Sequence, residues 1–302
     1  MFDISNTGLK RDALAGEVAV ITGSTSNVGR GFAQAIAWAG GKVVIVGRSA
    51  QRGAAVADEI NADCGPDTAI FVQADVSSAE DIARLKEAAY AKFGKVDIVI
   101  NNAMDMSLNF GILESKVEDL DRAYGISARA VMLAAQAFLP DMIQRGHGTF
   151  TYSTTQFYYV PGMLGGSVYT AAKAAATSAT MSLSNEVKGT GVNVFCFCPA
   201  GVGAVNASSQ KELTEEMKNM RMPGFPGMIP ADASGAAMVW MLLHAAEMHG
   251  TGVMVGDVLT AMDYPFPCPE TVNAWGAMPP QYLPDMPLTM VFCHMGHGFP
   301  EK

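Results

Sequence analysis

Glu17-Val18-Ala19-Val20-Ile21-Thr22 is a short β-branched run that passes directly into Gly23-Ser24-Thr25-Ser26-Asn27-Val28-Gly29-Arg30-Gly31. A helical spacing of apolar residues then takes over from Val28 to Ala39. Strand, small-residue loop and helix in that order leave the free N–H groups of a helix start facing the loop, and small side chains let a ligand approach the backbone. Such an arrangement suits a phosphate. Any tight strand-to-helix turn uses glycine, however, so the loop gains its meaning from what surrounds it.

The same alternation continues along the chain. Lys42–Val46 is followed by a helical pattern over Gln51–Ile60, Ala69–Gln73 by Ala79–Phe93, and Val96–Ile100 by Val117–Ile143. Gly148–Ser153 precedes a helix over Ser167–Val187, Val192–Cys198 precedes one over Asp232–Glu247, and Gly252–Leu259 reads as a seventh strand. Strands alternating with helices predict an α/β fold: a doubly wound parallel sheet of seven strands, covered on both faces because right-handed crossovers place the helices there. Fully apolar strands agree with burial on two sides. The pattern assigns residues 1–262 to one domain. Within it, Gly201–Pro230 is too long and too rich in Gly, Pro and Met for an ordinary connection, and is a candidate substrate lid. Residues 263–302 form a Pro- and aromatic-rich extension in which prolines exclude regular structure, while Trp275, Tyr282 and Phe292 call for an apolar partner. That need makes a homodimer or homotetramer the expected state.

The 302 residues are 49% hydrophobic and 16% charged, the composition of a folded chain rather than a disordered one. A net charge of −9 with no long basic run disfavours nucleic acid and anionic membranes as partners. The apolar stretch Gly235–Ala246 is too short to cross a bilayer, and the N-terminus lacks the apolar run of a secretory signal. Five scattered cysteines read as reduced thiols. A soluble, cytoplasmic protein is expected, with no nucleic acid or membrane partner.

Loops at the carboxyl ends of the strands carry the remaining signals, because open α/β sheets bind ligands there. Gly47-Arg48-Ser49 follows the second strand. In a dinucleotide-binding sheet this position faces the adenosine ribose, where an acidic residue takes a 2′-hydroxyl and an arginine accommodates a 2′-phosphate. Arg48 therefore favours NADP(H) over NAD(H). Asp75-Val76 closes the third strand and Asn101-Asn102-Ala103 the fourth. Tyr169 and Lys173 in YTAAK lie four residues apart, on one face of a helix. A phenol titrates near 10, so acid/base work at neutral pH needs a nearby cation, and Lys173 supplies one. Ser153-Thr154-Thr155 ends the fifth strand and can place a hydroxyl beside Tyr169 to bond a substrate oxygen.

TGSTSNVG, GR, DV, NNA, STT, YTAAK and CPAG, in this order and spacing over about residues 15–262, resemble the short-chain dehydrogenase/reductase family. The resemblance implies a Rossmann-type fold and a nicotinamide-dependent oxidoreductase acting on a small ketone or secondary alcohol, with no metal. In it, Tyr169 exchanges a proton with the substrate oxygen, Lys173 lowers the tyrosine pKa and binds the nicotinamide ribose, and a strand hydroxyl orients the substrate. Gly23, Ser24, Thr25, Asn27, Val28, Gly29, Arg48, Asp75, Val76, Asn102, Ala103, Pro199, Gly201 and Val202 are implied to line the cofactor, together with Tyr169 and Lys173. Four departures stand out. Asn27 replaces the middle glycine of the loop, and asparagine tolerates a left-handed backbone better than other non-glycine residues. Met104 replaces the glycine of NNAG, near where the nicotinamide would lie. Ser127 stands where the family has a proton-relay asparagine. The position thirteen residues before Tyr169 is Gln156, and allowing one inserted residue assigns the hydroxyl role to Thr155, with Ser153 and Thr154 as neighbours able to replace it. Asn27, Met104 and Ser127 also leave open a nucleotide-binding sensor of weakened activity. A non-redox elimination on the same scaffold is disfavoured by Lys173.

Other features take plainer readings. Cys293, His294 and His297 resemble metal ligands but sit in an apolar tail. Cys196 and Cys198 alternate on a buried strand, where at most one is expected to face the cofactor, and both read as packing residues. Met217, Met220, Met222 and Met228 in the lid, with Phe157, Tyr158 and Tyr159 beyond Thr155, suit an apolar, cyclic or aromatic substrate.

Overall fold

The computed structural model describes residues 3–108, 111–155, 166–199, 201–202, 228–229 and 231–263. The elements run β1 (Val18–Thr22), α1 (Asn27–Trp38), β2 (Lys42–Gly47), α2 (Ala50–Cys64), β3 (Ala69–Gln73), α3 (Ala79–Phe93), β4 (Ile98–Asn101), α4 (Val117–Tyr124), α5 (Ala130–Arg145) and β5 (Gly148–Ser153). They continue with α6 (Ser167–Glu186), β6 (Val192–Cys198), β7 (Gly201–Val202), β8 (Met228–Ile229), α7 (Ala231–Leu243), α8 (Ala245–Met248), β9 (Gly252–Met254) and α9 (Val255–Ala261). Seven strands form one sheet in the order β3-β2-β1-β4-β5-β6-β9, and every pairing in it is parallel. The expected doubly wound α/β architecture is present, and the strand order reverses between β1 and β4, where such sheets open a crevice.

Alternation along the strands divides the core in two. Ala19, Ile21, Val43, Ile45, Phe195 and Phe197 pack with α1, α2, α7 and α9 on one face. Val18, Val20, Val44, Val46, Phe150, Tyr152, Val194 and Cys196 pack with α3, α5 and α6 on the other. Helices α1 and α7 meet at two glycines: a Cβ on Gly31 would lie 2.5 Å from the Ala231 carbonyl oxygen, and one on Gly235 would lie 2.6 Å from that of Gly31. The last glycine of the first loop thus serves helix packing rather than the loop.

Two readings need correction. The seventh strand ends at Met254 rather than Leu259, and the chain turns into α9. Val255, Val258 and Leu259 are buried at helical spacing, a period hidden within a short apolar run. The long helix over Val117–Ile143 is divided by a π turn at Gly125–Arg129, with Ser127 at its centre, and extends to Arg145. π turns mark local widening, often at functional sites. By length and composition Val117–Arg145 is also apolar enough to cross a membrane; here its inner side packs on the sheet and on α6. The interval read as a lid has paired ends, since β7 and β8 form a separate two-stranded parallel ladder. Residues 203–227 and 264–302 lie outside the described residues, as do Gln156, Phe157, Tyr158 and Tyr159 and the lid residues Met217, Met220 and Met222.

Candidate active site

The β1–α1 loop and the segment after β4 meet at the switch point. Thr22 Oγ1 accepts from the backbone N–H groups of Asn102 (2.9 Å) and Ala103 (3.1 Å), and Asn102 Nδ2 donates to the Thr22 carbonyl at 3.1 Å. A Cβ on Gly23 would lie 2.7 Å from Ala103 Cα, and one on Gly29 would lie 2.5 Å from Asn102 Nδ2. Both glycines therefore allow the two loops to touch. Asn27 adopts φ +47°, the left-handed conformation expected of a residue standing in for glycine. Ser24 spends both its donors on the fold, its N–H on the Val46 carbonyl and its hydroxyl on the Ile21 carbonyl at 2.6 Å, so its part is to shape the loop. Arg30 turns away to Glu59.

The start of α1 is open to an anion. Ser26 at its N-cap makes no side-chain bond, and the first backbone bond is Arg30 N–H to the Ser26 carbonyl. The N–H groups of Asn27, Val28 and Gly29 are left as donors at a helix end, which fits a pyrophosphate. At the neighbouring strand ends, Thr25 lies over Gly47, where an added Cβ would come within 2.6 Å of its Cγ2. Arg48 is 58% exposed and reaches Asp105 Oδ2 at 3.2 Å, a carboxylate it shares with Arg122. Asp75 accepts from Ser77 N–H (2.9 Å) and Ser77 Oγ (2.6 Å). These bonds first, and Arg48 and Arg122 nearby, hold its carboxyl below the usual range. Met104 packs against Leu108, Ala123, Val168 and Ala172.

One turn of α6 carries Tyr169 and Lys173 across the carboxyl end of β5. Lys173 is buried, and its Nζ donates to the Ser153 carbonyl at 2.5 Å. Of the three neighbouring hydroxyls, Thr155 shares a hydrogen bond with Tyr169, while Thr154 is engaged with Thr177 Oγ1 at 2.5 Å. Ser153 Oγ is buried without a partner. The geometry thus brings together Thr155, Tyr169 and Lys173, and leaves Ser153 and Thr154 out of the phenol's hydrogen bonding.

The electrostatics correct one expectation. Burial, with Cys198 adding to it, raises the Tyr169 phenol well above its ordinary value, and the Thr155 bond only partly opposes this. Lys173 Nζ stands 5.9 Å from the Tyr169 ring centroid, and burial pushes the amine down to about 8. Desolvation of both groups outweighs the lowering of the phenol that a neighbouring cation was expected to produce. Cys196 and Cys198 also differ from expectation: both act on Lys173, because residues two apart on a strand share a face. Ser127 is buried, with its hydroxyl donated to the Ala123 carbonyl at 2.6 Å, so the short side chain bonds back to its own helix where an asparagine would extend. Tyr152, Asp105 and Arg122 escaped the sequence reading, Tyr152 because a tyrosine on an apolar strand is indistinguishable from core.

A profile of the short chain dehydrogenase family matches residues 17–217. A short chain dehydrogenase of Pseudocercospora fijiensis is 32% identical over 218 residues, which cover 68% of this chain and 69% of that protein. Among solved structures, a 3-ketoacyl-(acyl-carrier-protein) reductase from Brucella melitensis complexed with NADH superposes with a TM-score of 0.69 at 28% identity, covering 80% of this chain and 97% of the other. A metagenomic short-chain oxidoreductase in complex with NADP gives 0.62 at 25% identity, covering 76% and 92%. Fold, loop geometry and these likenesses agree, and the chain belongs to the short-chain dehydrogenase/reductase family of nicotinamide-dependent oxidoreductases.

Proposed function

We propose that this chain is an NADP(H)-dependent reductase or dehydrogenase that interconverts a ketone and a secondary alcohol, the substrate being apolar or cyclic. The observation that carries the reading is the Tyr169–Thr155 hydrogen bond with Lys173 one helical turn away. When bound, the nicotinamide supplies or accepts the hydride. In the reducing direction Tyr169 gives its phenolic proton to the carbonyl oxygen as the carbonyl carbon becomes the alcohol carbon, and Thr155 holds that oxygen by a hydrogen bond. Lys173 binds the nicotinamide ribose and favours the phenolate that remains. Asn27, Val28 and Gly29 offer their N–H groups to the pyrophosphate, with Gly23 and Thr25 beside them. Ser24 shapes that loop from behind. Asp75, Val76, Asn102 and Ala103 line the adenosine side, and Pro199, Gly201 and Val202 the nicotinamide side.

Arg48 supports NADP(H): it is exposed and pairs with a carboxylate it can exchange for a 2′-phosphate. The apolar side chains around Met104 and Val168 support an apolar substrate. Exposed Ile112, Leu113, Val117 and Met132 add to the case for a homodimer or homotetramer, which sedimentation of the full chain measures. The test is a panel of ketones and alcohols assayed with both cofactor pairs by nicotinamide absorbance. Arg48→Ala is expected to raise the Michaelis constant for NADPH about 10- to 100-fold while leaving NADH within about twofold. Equal losses, or faster turnover of the native protein with NADH, reject the cofactor assignment.

A further inference from the structure

We propose that Tyr152 is a positioning residue for Lys173, its ring face holding the buried ammonium in place beside Tyr169. The inference rests on the acid/base reading of Tyr169 and Lys173. Lys173 Nζ lies 4.8 Å from the Tyr152 ring centroid, closer than the 5.9 Å to Tyr169 and within the range where an aromatic face attracts a cation. An ammonium has three donors, and among the described residues this one bonds a single carbonyl, that of Ser153. Among the described residues no carboxylate pairs with it. The titratable groups that act on it are two thiols, Cys196 and Cys198 from β6, with Tyr169 on its own helix and Tyr152 on β5. Helix α4 and the π turn, which pack on α6, bury Ala123 and Ser127, while Glu118, Asp121, Arg122 and Arg129 are exposed and Asp119 bonds the Lys116 N–H. A buried charge so poorly supplied with counter-charge depends on whatever negative surface it touches, and the π face of Tyr152 is that surface.

The hydroxyl of Tyr152 points to the same conclusion from the other side. It is buried and has no hydrogen-bond partner among the described residues. An unpartnered buried hydroxyl costs stability, so the residue is useful through its ring. Ring and hydroxyl are separable by substitution, and the effect on Lys173 has a definite sign: losing the ring face disfavours the charged amine, so activity that needs the ammonium fails at a lower pH.

The test compares Tyr152→Phe and Tyr152→Leu in the full-length protein. It reads the alkaline limb of the pH profile for ketone reduction, NADPH affinity by fluorescence quenching, and thermal stability. Tyr152→Phe is expected to keep the limb in place and kcat/KM within about twofold. Tyr152→Leu is expected to move the limb down by about 0.5–1 pH unit. A limb unmoved in folded Tyr152→Leu, or moved equally by Tyr152→Phe, overturns the proposal. If Tyr152→Leu does not fold, phenylalanines bearing successive fluorines at position 152 keep the shape while draining the ring face. The limb should then descend stepwise, and a constant limb overturns the proposal. Tyr169→Phe separates the underlying reading: full activity in that variant removes the acid/base assignment itself, whatever the Tyr152 series does.

Discussion

Two buried charges sit at opposite edges of the same sheet, and their surroundings could hardly differ more. Asp97, just before β4, is fully buried and completely supplied: Val18 N–H donates at 3.0 Å, Lys95 Nζ lies at 2.8 Å and Arg145 Nη1 at 2.6 Å. Arg145 goes on to Asp141 at 2.9 Å, so the cluster ties β1, β4 and α5 together. Lys173, at the carboxyl edge, is equally buried but has one carbonyl and an aromatic face. Tyr152 beneath it and Ser153, whose carbonyl it bonds, carry buried hydroxyls without partners among the described residues. Asp97 has its charge matched within the fold; beside Lys173, among the described residues, hydroxyls of β5 are left with hydrogen-bonding capacity, which is what a reacting ligand needs.

If that contrast is right, the largest effect comes from Asp97→Ala. It should cost about 3–5 kcal/mol in denaturant unfolding, by leaving the Val18 N–H unpaired and separating two cations from their carboxylate. Residual folded protein should keep its kcat. A large fall in kcat at unchanged stability would make the amino edge part of the active site and break the comparison.

At the carboxyl edge the expected losses are kinetic. Thr155→Val should cost about 2–4 kcal/mol in kcat/KM, the scale of one oxyanion-type donor, with little change in melting temperature. Ser153→Ala should leave activity within about twofold, since its hydroxyl makes no bond. Inverted ranking would show that substrate binding brings Ser153 rather than Thr155 to the reacting oxygen.

A smaller effect on stability than that of Asp97→Ala is the sharpest in sign. Lys173→Met should abolish turnover and yet stabilise the fold by about 1–3 kcal/mol at pH 7, because it removes a buried charge. The amine's folded value of about 8 lies below its ordinary 10.5, so the unfolded chain binds this proton more tightly. Native stability should therefore rise with pH between those values, and the variant should lack that slope. Reduction, which needs the ammonium, should fall as pH rises through about 8. A variant less stable than the native protein would mean that Lys173 is as well compensated as Asp97.

Much of this was legible in residue spacing, and the exceptions have physical causes. Tyr169 and Lys173 could be placed together because four residues are one helical turn, whereas Thr155 followed only from the family resemblance with one inserted residue, which left Ser153 and Thr154 as alternatives. Asn27 was legible as a left-handed residue from its place in a glycine loop. Cys198 shares the face of Cys196 because the strand period is two. The π turn at Ser127 leaves no mark on an apolar periodicity that continues through it. Tyr152 was invisible because nothing in a strand reveals which ring lies over a cation contributed by a later helix. Spacing reports local geometry, whereas charge compensation depends on what the fold brings from elsewhere.

The small ladder between β7 and β8 has an evolutionary consequence. Pairing Gly201 with Met228 and Val202 with Ile229 fastens both ends of the intervening chain outside the main sheet. Loop-closure entropy grows slowly with length, by about 0.6 kcal/mol for each doubling. The ladder is thus a place where the chain between its ends can change length without altering the pairing of the main sheet.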